Sequence, residues 1–345
     1  MTTTLKPCNP ETSRTNVIKQ PPTAYHLLMR HLLLPLLAWF AFICLASSDF
    51  ISARWEIILI VFAALNLVPP GLSLLLSEND RPDTWWQWGA ILLFCAAWLF
   101  ENPIFSTVSM LPYVSWAVYL SFKEWGKLWY SLDSSTQTAL QRRSAWVRLA
   151  ALSWWATGAV FALFVVTGYQ PFGFDPMLIA LTAAHFHVAG FVLTIIVYAL
   201  DRSVDNRLTN GLAWGTVVGM PLVATGIVFT KLGWGPTLEW CAALGFAAMA
   251  ICVALLQLKM AIGAGFVWPV RFLWILAGVS LLGGALLATA YALRFHFHMP
   301  WVSIPHMKIW HGTLNTLGFA FLSLWGWQLA GSSEPLSPYR RWYAL

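Results

Sequence analysis

Charge is what this sequence has least of. Only 10% of its 345 residues are Asp, Glu, Lys or Arg, against about 25% in an ordinary soluble domain. So few charges cannot cover a globular surface. A water-soluble enzyme, a coiled coil and a disordered chain are therefore excluded. Paired sulfur is missing as well. There are five cysteines, none in a Cys-x-x-Cys pair. Cys44, Cys95, Cys241 and Cys252 lie in apolar runs, where a thiol behaves as a small hydrophobe. Neither a disulfide framework nor a thiolate metal site follows. The first 30 residues are polar and open with no short hydrophobic core, so no cleavable signal peptide is expected. The formal charge is +6, but no basic stripe recurs along a polar face, and nucleic acid is set aside as a partner.

What the chain does have is apolar length. Hydrophobic residues make up 59% of it, with 22 Trp and 22 Phe, and the mean hydropathy is +0.66. A spanning helix needs about 20 mainly apolar residues. Ten segments are candidates: 31–48, 56–76, 85–100, 103–122, 146–168, 176–200, 211–230, 238–258, 270–293 and 306–329. The expected fold is all-α, a polytopic transmembrane bundle of about ten helices. One membrane domain, 31–330, is expected between polar tails at 1–30 and 331–345. The connections are short except 123–145, where an amphipathic surface helix is expected.

Lys and Arg orient the bundle. With the N-terminus in the cytoplasm, sixteen of the 20 Lys and Arg residues fall on the cytoplasmic side. Only Arg54, Lys231, Arg294 and Lys308 fall outside. An even number of helices puts both termini in the cytoplasm. The setting implied is a membrane crossed many times, with the lipid bilayer as the main partner.

The histidines carry the chemical signal. His26 and His31 stand at the cytoplasmic entrance of the first helix and are expected to be interfacial. The other six fall in the outer half of the membrane or at its outer surface. His185 lies roughly 14 Å along its helix, at about 1.5 Å per residue. An ionisable residue at that depth marks function by default. His187, two residues on, leaves the helix on nearly the opposite face. One of the two is expected to face a shared space, the other a neighbouring helix. His296 and His298 end the ninth helix, and His306 and His311 begin the tenth. Asn315 lies one turn beyond His311 on the same face. The sixth, ninth and tenth helices are expected to meet at their outer ends. His185, His187, His311 and Asn315 are the candidate catalytic residues, with His296, His298 and His306 as candidate metal ligands at the rim. Such nitrogens suit iron, copper or zinc, or act as acid and base without a metal.

Two stretches, Leu181-Thr-Ala-Ala-His-Phe-His-Val-Ala-Gly-Phe191 and Trp310-His-Gly-Thr-Leu-Asn-Thr-Leu-Gly-Phe319, resemble the signature stretches of the YndJ-like family of bacterial integral membrane proteins. The resemblance implies a polytopic architecture, sometimes labelled a transporter, and no defined activity. Ala184-His-Phe-His187 is also similar to a stretch of haem–copper oxidases. The adjacent His-His pair and the His-x-x-x-Tyr of that copper site are both missing, so haem ranks behind a single metal.

Two functions follow. The first is a membrane-embedded enzyme acting on a lipophilic small molecule. It would work either by metal-dependent oxidation or by histidine acid–base isomerisation, hydration or cyclisation. The second is a transporter or permease, suggested by the interruption of the second helix at Asn66-Leu-Val-Pro-Pro-Gly71. No helix carries a charged residue at mid-membrane, which tells against a proton-coupled carrier.

Overall fold

The computed structural model describes residues 22–46, 54–77, 80–81, 83–100, 102–132, 137–263 and 265–331. These residues are helical almost throughout, with no strand among them. The helices are α1 (Pro22–Leu45), α2 (Trp55–Asn66), α3 (Val68–Leu75), α4 (Thr84–Ala96), α5 (Pro103–Leu132), α6 (Ala139–Thr167), α7 (Pro176–Val204), α8 (Arg207–Lys231), α9 (Thr237–Ile262), α10 (Trp268–Ala292) and α11 (304–331). Of the expected tails, 1–21 and 332–345 lie outside the described residues. The side chains of His26 and His31 do too. Helix α1 already begins at Pro22, inside the segment expected to be tail.

Six helices, α5 to α10, are long and apolar enough to cross a membrane, or seven if α2 and α3 form one bent span. Their outward faces are apolar. Leu37 on α1, Val108 on α5, Val218 on α8, Leu255 on α9 and Val279 on α10 are all exposed. Apolar surface on this scale belongs against lipid.

At the centre stands α2. Its sequence, Trp-Glu-Ile-Ile-Leu-Ile-Val-Phe-Ala-Ala-Leu-Asn, is apolar on every face, and every residue from Glu56 to Asn66 is buried. A helix that is hydrophobic all round needs protein on all sides. Helices α1, α7 and α11 supply it. The chain then bends by 44° into α3. Pro69 and Pro70 cause the bend, because neither can donate an N–H to the carbonyl four residues back. The carbonyl of Pro70 accepts from the Gln328 amide of α11 at 2.8 Å, which ties α3 to α11.

The segment 123–145, expected as a surface helix of its own, is divided between two long helices. No proline stands between Phe122 and Leu132, and Gly126 alone does not end the helix, so α5 runs on to Leu132. α6 starts at Ala139 behind a capping box, in which Thr138 accepts from the Gln141 N–H and the Gln141 side chain accepts from the Thr138 N–H.

One buried ion pair locks the basic end of the bundle. Arg143, near the start of α6, reaches Asp201 in the last turn of α7 with Nε to Oδ2 at 2.7 Å and Nη2 to Oδ1 at 3.2 Å. Asp205 adds a contact at 2.9 Å. Asp205 adopts a left-handed conformation (φ 43°) that ends α7. Arg143 and Asp201 are both buried. Arg143→Met strands a buried carboxylate and is expected to destabilise the fold by about 3–5 kcal/mol. The double variant Arg143→Met/Asp201→Leu is expected to recover most of that loss. Thermal unfolding of the detergent-solubilised protein measures both.

Candidate functional site

Among the described residues two stretches widen to π-helical pitch, and they fall in the two histidine-bearing motifs. Phe186–Val192 in α7 and Leu314–Phe321 in α11 are π-helical. They lie against each other. π-turns inside α-helices occur often at functional sites. Glycines bring other helices up to both. A Cβ on Gly190 would lie 2.7 Å from Trp154 Cβ of α6, and one on Gly318 would collide with the Ser280 side chain of α10. At each pitch change a side chain bonds a carbonyl four residues back: His185 to Leu181 (2.7 Å), His187 to Ala183 (2.8 Å) and Asn315 to His311 (2.8 Å).

The two histidines of α7 face different neighbours. His185 stacks on His311, with ring centroids 5.9 Å apart and planes 27° from parallel. His187 points away into the core and is completely buried. Tautomers follow from the partners, because a carbonyl only accepts and an indole N–H only donates. His187 Nδ1 faces the Ala183 carbonyl, so it carries the proton and Nε2 is an acceptor. The Tyr113 hydroxyl then donates to Nε2 over 3.1 Å. The same hydroxyl accepts from Trp155 Nε1 at 2.8 Å. Every polar atom of this buried trio is satisfied, and His187 has no nitrogen left for a ligand. The sequence reading had not singled out Tyr113. Tyr113 lies in mid-helix, where a lone tyrosine reads as core.

The same logic gives His185 and His311 a different character. His185 Nδ1 must donate to Leu181 O. His311 Nδ1 lies 2.9 Å from the Gly284 carbonyl of α10, so it donates there. The nearby Asn315 amide, 3.2 Å from that nitrogen, gives its proton to the His311 carbonyl. Both rings therefore present an unprotonated Nε2, and no described residue hydrogen-bonds either one. His185 is exposed and His311 half-buried.

An ion pair missed by the sequence reading lies one turn outward. Glu56, at the start of α2 and 1% exposed, bonds Lys308 of α11 at 3.3 Å and Arg54 at 3.0 Å. Lys308 stands three residues before His311, on the same face of α11. That spacing was the available signal. Trp55 Nε1 donates to Thr313 Oγ1 at 3.1 Å, closing α2 onto α11 beside the histidine pair.

The remaining histidines do not join them. His296 meets Trp240 edge-on, centroids 4.9 Å apart, beside the Arg294–Glu239 pair at 2.6 Å. His306 Nδ1 pairs with Ser303 Oγ at 2.7 Å. Among the described residues, no three His, Cys, Asp or Glu side chains converge as metal ligands. His296, His298 and His306, expected as metal ligands at the rim, are therefore not brought together as a three-ligand set. His296 and His298 stand in the irregular connection 296–303, and His306 in the first turn of α11.

An all-helical chain with six apolar spans and polar side chains buried between its helices is a membrane protein. Its sequence matches the family described as YndJ-like protein over residues 58–319, and the chain belongs to that family. No curated protein and no solved structure matches it.

Tyr113→Phe leaves both His187 Nε2 and Trp155 Nε1 without a partner in the core. It is expected to cost about 1–3 kcal/mol per orphaned group. Gly158→Ala, whose Cβ would sit 2.6 Å from His187 Nδ1, should destabilise by the same route. Fluorescence-detected gel filtration after heating compares both with wild type, and wild-type stability in Tyr113→Phe would rule out the network.

Proposed function

We propose that this chain is a membrane-embedded enzyme that transforms a lipophilic small molecule at the His185–His311 pair. The observation that carries the reading is the pair itself. Two stacked imidazoles are each oriented by a backbone carbonyl at Nδ1, and each leaves Nε2 without a partner among the described residues. A neutral Nε2 can take a proton from one carbon or oxygen of a substrate and return it at another, with the second ring as relay. Isomerisation, hydration or cyclisation by acid–base chemistry fits them. Oxidation at iron or copper, or Lewis-acid chemistry at zinc, would have only two nitrogen ligands from the pair and would need ligands from elsewhere. Asn315 and Gly284 position His311. His187 belongs to the supporting core.

Substrate would enter from the bilayer, since the surrounding helices are apolar. Purified protein incubated with a total lipid extract should deplete one lipophilic compound and form another, followed by mass spectrometry. His185→Gln and His311→Gln should abolish the change at unaltered levels of folded protein. Gln keeps a hydrogen-bonding amide but cannot exchange protons near neutral pH. In His187→Gln, activity should fall only with the amount of folded protein. Full activity in both His185→Gln and His311→Gln would end the proposal. Transport would then lead, on the strength of the 44° break between α2 and α3.

The topology proposed with this function is ten crossings of a bacterial inner membrane, with both termini in the cytoplasm. The sixteen-to-four division of Lys and Arg supports it. It counts α1, α4, the α2–α3 pair and α11 as crossings alongside the six long helices. Reporter fusions after Leu345 and within 201–210 should both read as cytoplasmic. A periplasmic signal at either place refutes this arrangement.

A further inference from the structure

At the basic end of the bundle, away from the histidine pair, lies a cavity of about 290 Å³. It opens between the end of α5 and the start of α6, and Arg202 of α7 completes the wall. Lys127, Gln137, Gln141, Ser144, Arg148 and Arg202 line it beside two apolar side chains. Three buried polar atoms of that lining have no hydrogen-bond partner: Gln137 Oε1, Ser144 Oγ and Arg148 Nε. Ser144 is 6% exposed, so its hydroxyl is a buried orphan on the cavity wall. Buried polar groups are paired in the great majority of cases, and three orphans around one cavity mark a missing occupant.

The charge of the lining identifies the occupant's sign. Glu124, buried behind the cavity, already holds Arg148 at 2.5 Å and Lys127 at 3.6 Å. Asp80 is shared by Lys127 at 2.8 Å and Lys123 at 3.3 Å. The hydrogen bond from Lys127, with that from Ser77, holds the Asp80 carboxyl well below the usual carboxylate range, so it stays ionised at neutral pH. Arg202 meets no carboxylate among the described residues, and its Nη1 donates to the Tyr198 hydroxyl at 3.1 Å. The wall therefore keeps positive charge in excess. Water satisfies orphaned atoms but does not balance a charge, whereas an anion does both.

We propose that this cavity binds a phosphate group. Ser144 Oγ–H, Arg148 Nε–H and the Arg202 guanidinium are donors on the wall of one cavity, which suits an anion with several oxygens on one centre. Gln141 spends its Oε1 on the helix cap at 2.8 Å and keeps its amide N–H groups for the same anion. Gln137 Oε1 faces a donor such as a headgroup hydroxyl. The cavity lies at helix ends, the depth at which lipid phosphates meet juxtamembrane basic residues. An anionic phospholipid headgroup and free phosphate share this chemistry.

The test is thermal unfolding of the detergent-purified full chain, titrated separately with short-chain phosphatidylglycerol, short-chain phosphatidylcholine and inorganic phosphate. Phosphatidylglycerol or inorganic phosphate should raise the unfolding midpoint. Arg202→Gln should weaken that apparent affinity about tenfold or more, and Ser144→Ala severalfold. Stabilisation by phosphatidylglycerol without inorganic phosphate assigns the site to a lipid. Stabilisation by inorganic phosphate, alone or equally, assigns it to free phosphate. Arg202 is exposed, so its variant should fold normally and decides the matter if Ser144→Ala does not. The proposal falls if neither anionic probe shifts the midpoint, if phosphatidylcholine shifts it equally, or if Arg202→Gln responds as wild type does.

Discussion

Backbone hydrogen bonding in an apolar medium governs this molecule more than any other constraint. Inside a bilayer no water is present to satisfy a stray carbonyl, and each one left bare costs several kcal/mol. Regular helix is the default answer, and most of the chain adopts it. The informative places are the few where the i to i+4 pattern fails. At Pro69 and Pro70 the helix gives up two donors and bends, and Gln328 reaches across from α11 to hold the Pro70 carbonyl. At Phe186–Val192 and Leu314–Phe321 the pitch widens, and histidine and asparagine side chains bond the carbonyls at the transition.

That constraint is also what prepares the histidines. A ring held at Nδ1 by a carbonyl has its orientation and tautomer set before any ligand arrives, so no reorganisation is needed later. Three rings are held in this way, yet the outcomes differ. His187 spends its second nitrogen on Tyr113 and becomes part of the core. His185 and His311 keep theirs open. The difference lies in what each faces across the helix boundary. For His187 it is the hydroxyl of a buried tyrosine already fixed by Trp155, and for the other two it is each other. The buried Glu56–Lys308 pair, one turn outward, joins the central helix to the helix that carries His311.

The two ends of the bundle solve different electrostatic problems. Buried carboxylates at the basic end are matched by Arg and Lys: Asp201 by Arg143, Glu124 by Arg148 and Lys127. The matching is incomplete around the cavity below Arg202, where cation remains in excess. At the opposite end Glu56 and Glu239 each hold a partner, and the unsatisfied groups are neutral imidazole nitrogens. One end is suited to holding an anion and the other to exchanging protons.

How much of this could be read beforehand differs by level. Low charge and long apolar runs determined an all-helical membrane chain, because period and composition are local properties that survive without coordinates. The two histidine stretches stood out for the same reason, and rotation on a helix already separated His185 from His187. The surface helix expected at 123–145 was misread because polarity there signals exposure, not a break, and α5 continues through it to Leu132. The rim histidines were grouped by closeness in sequence, which says little across an irregular connection. Only tertiary structure decided that His185 meets His311 across two helices, that Tyr113 occupies His187, and that Glu56 finds Lys308 some 250 residues away. Those pairings depend on which faces of separate helices touch. Helix packing sets that contact through glycines, bends and π-turns, and no local pattern of residues encodes it.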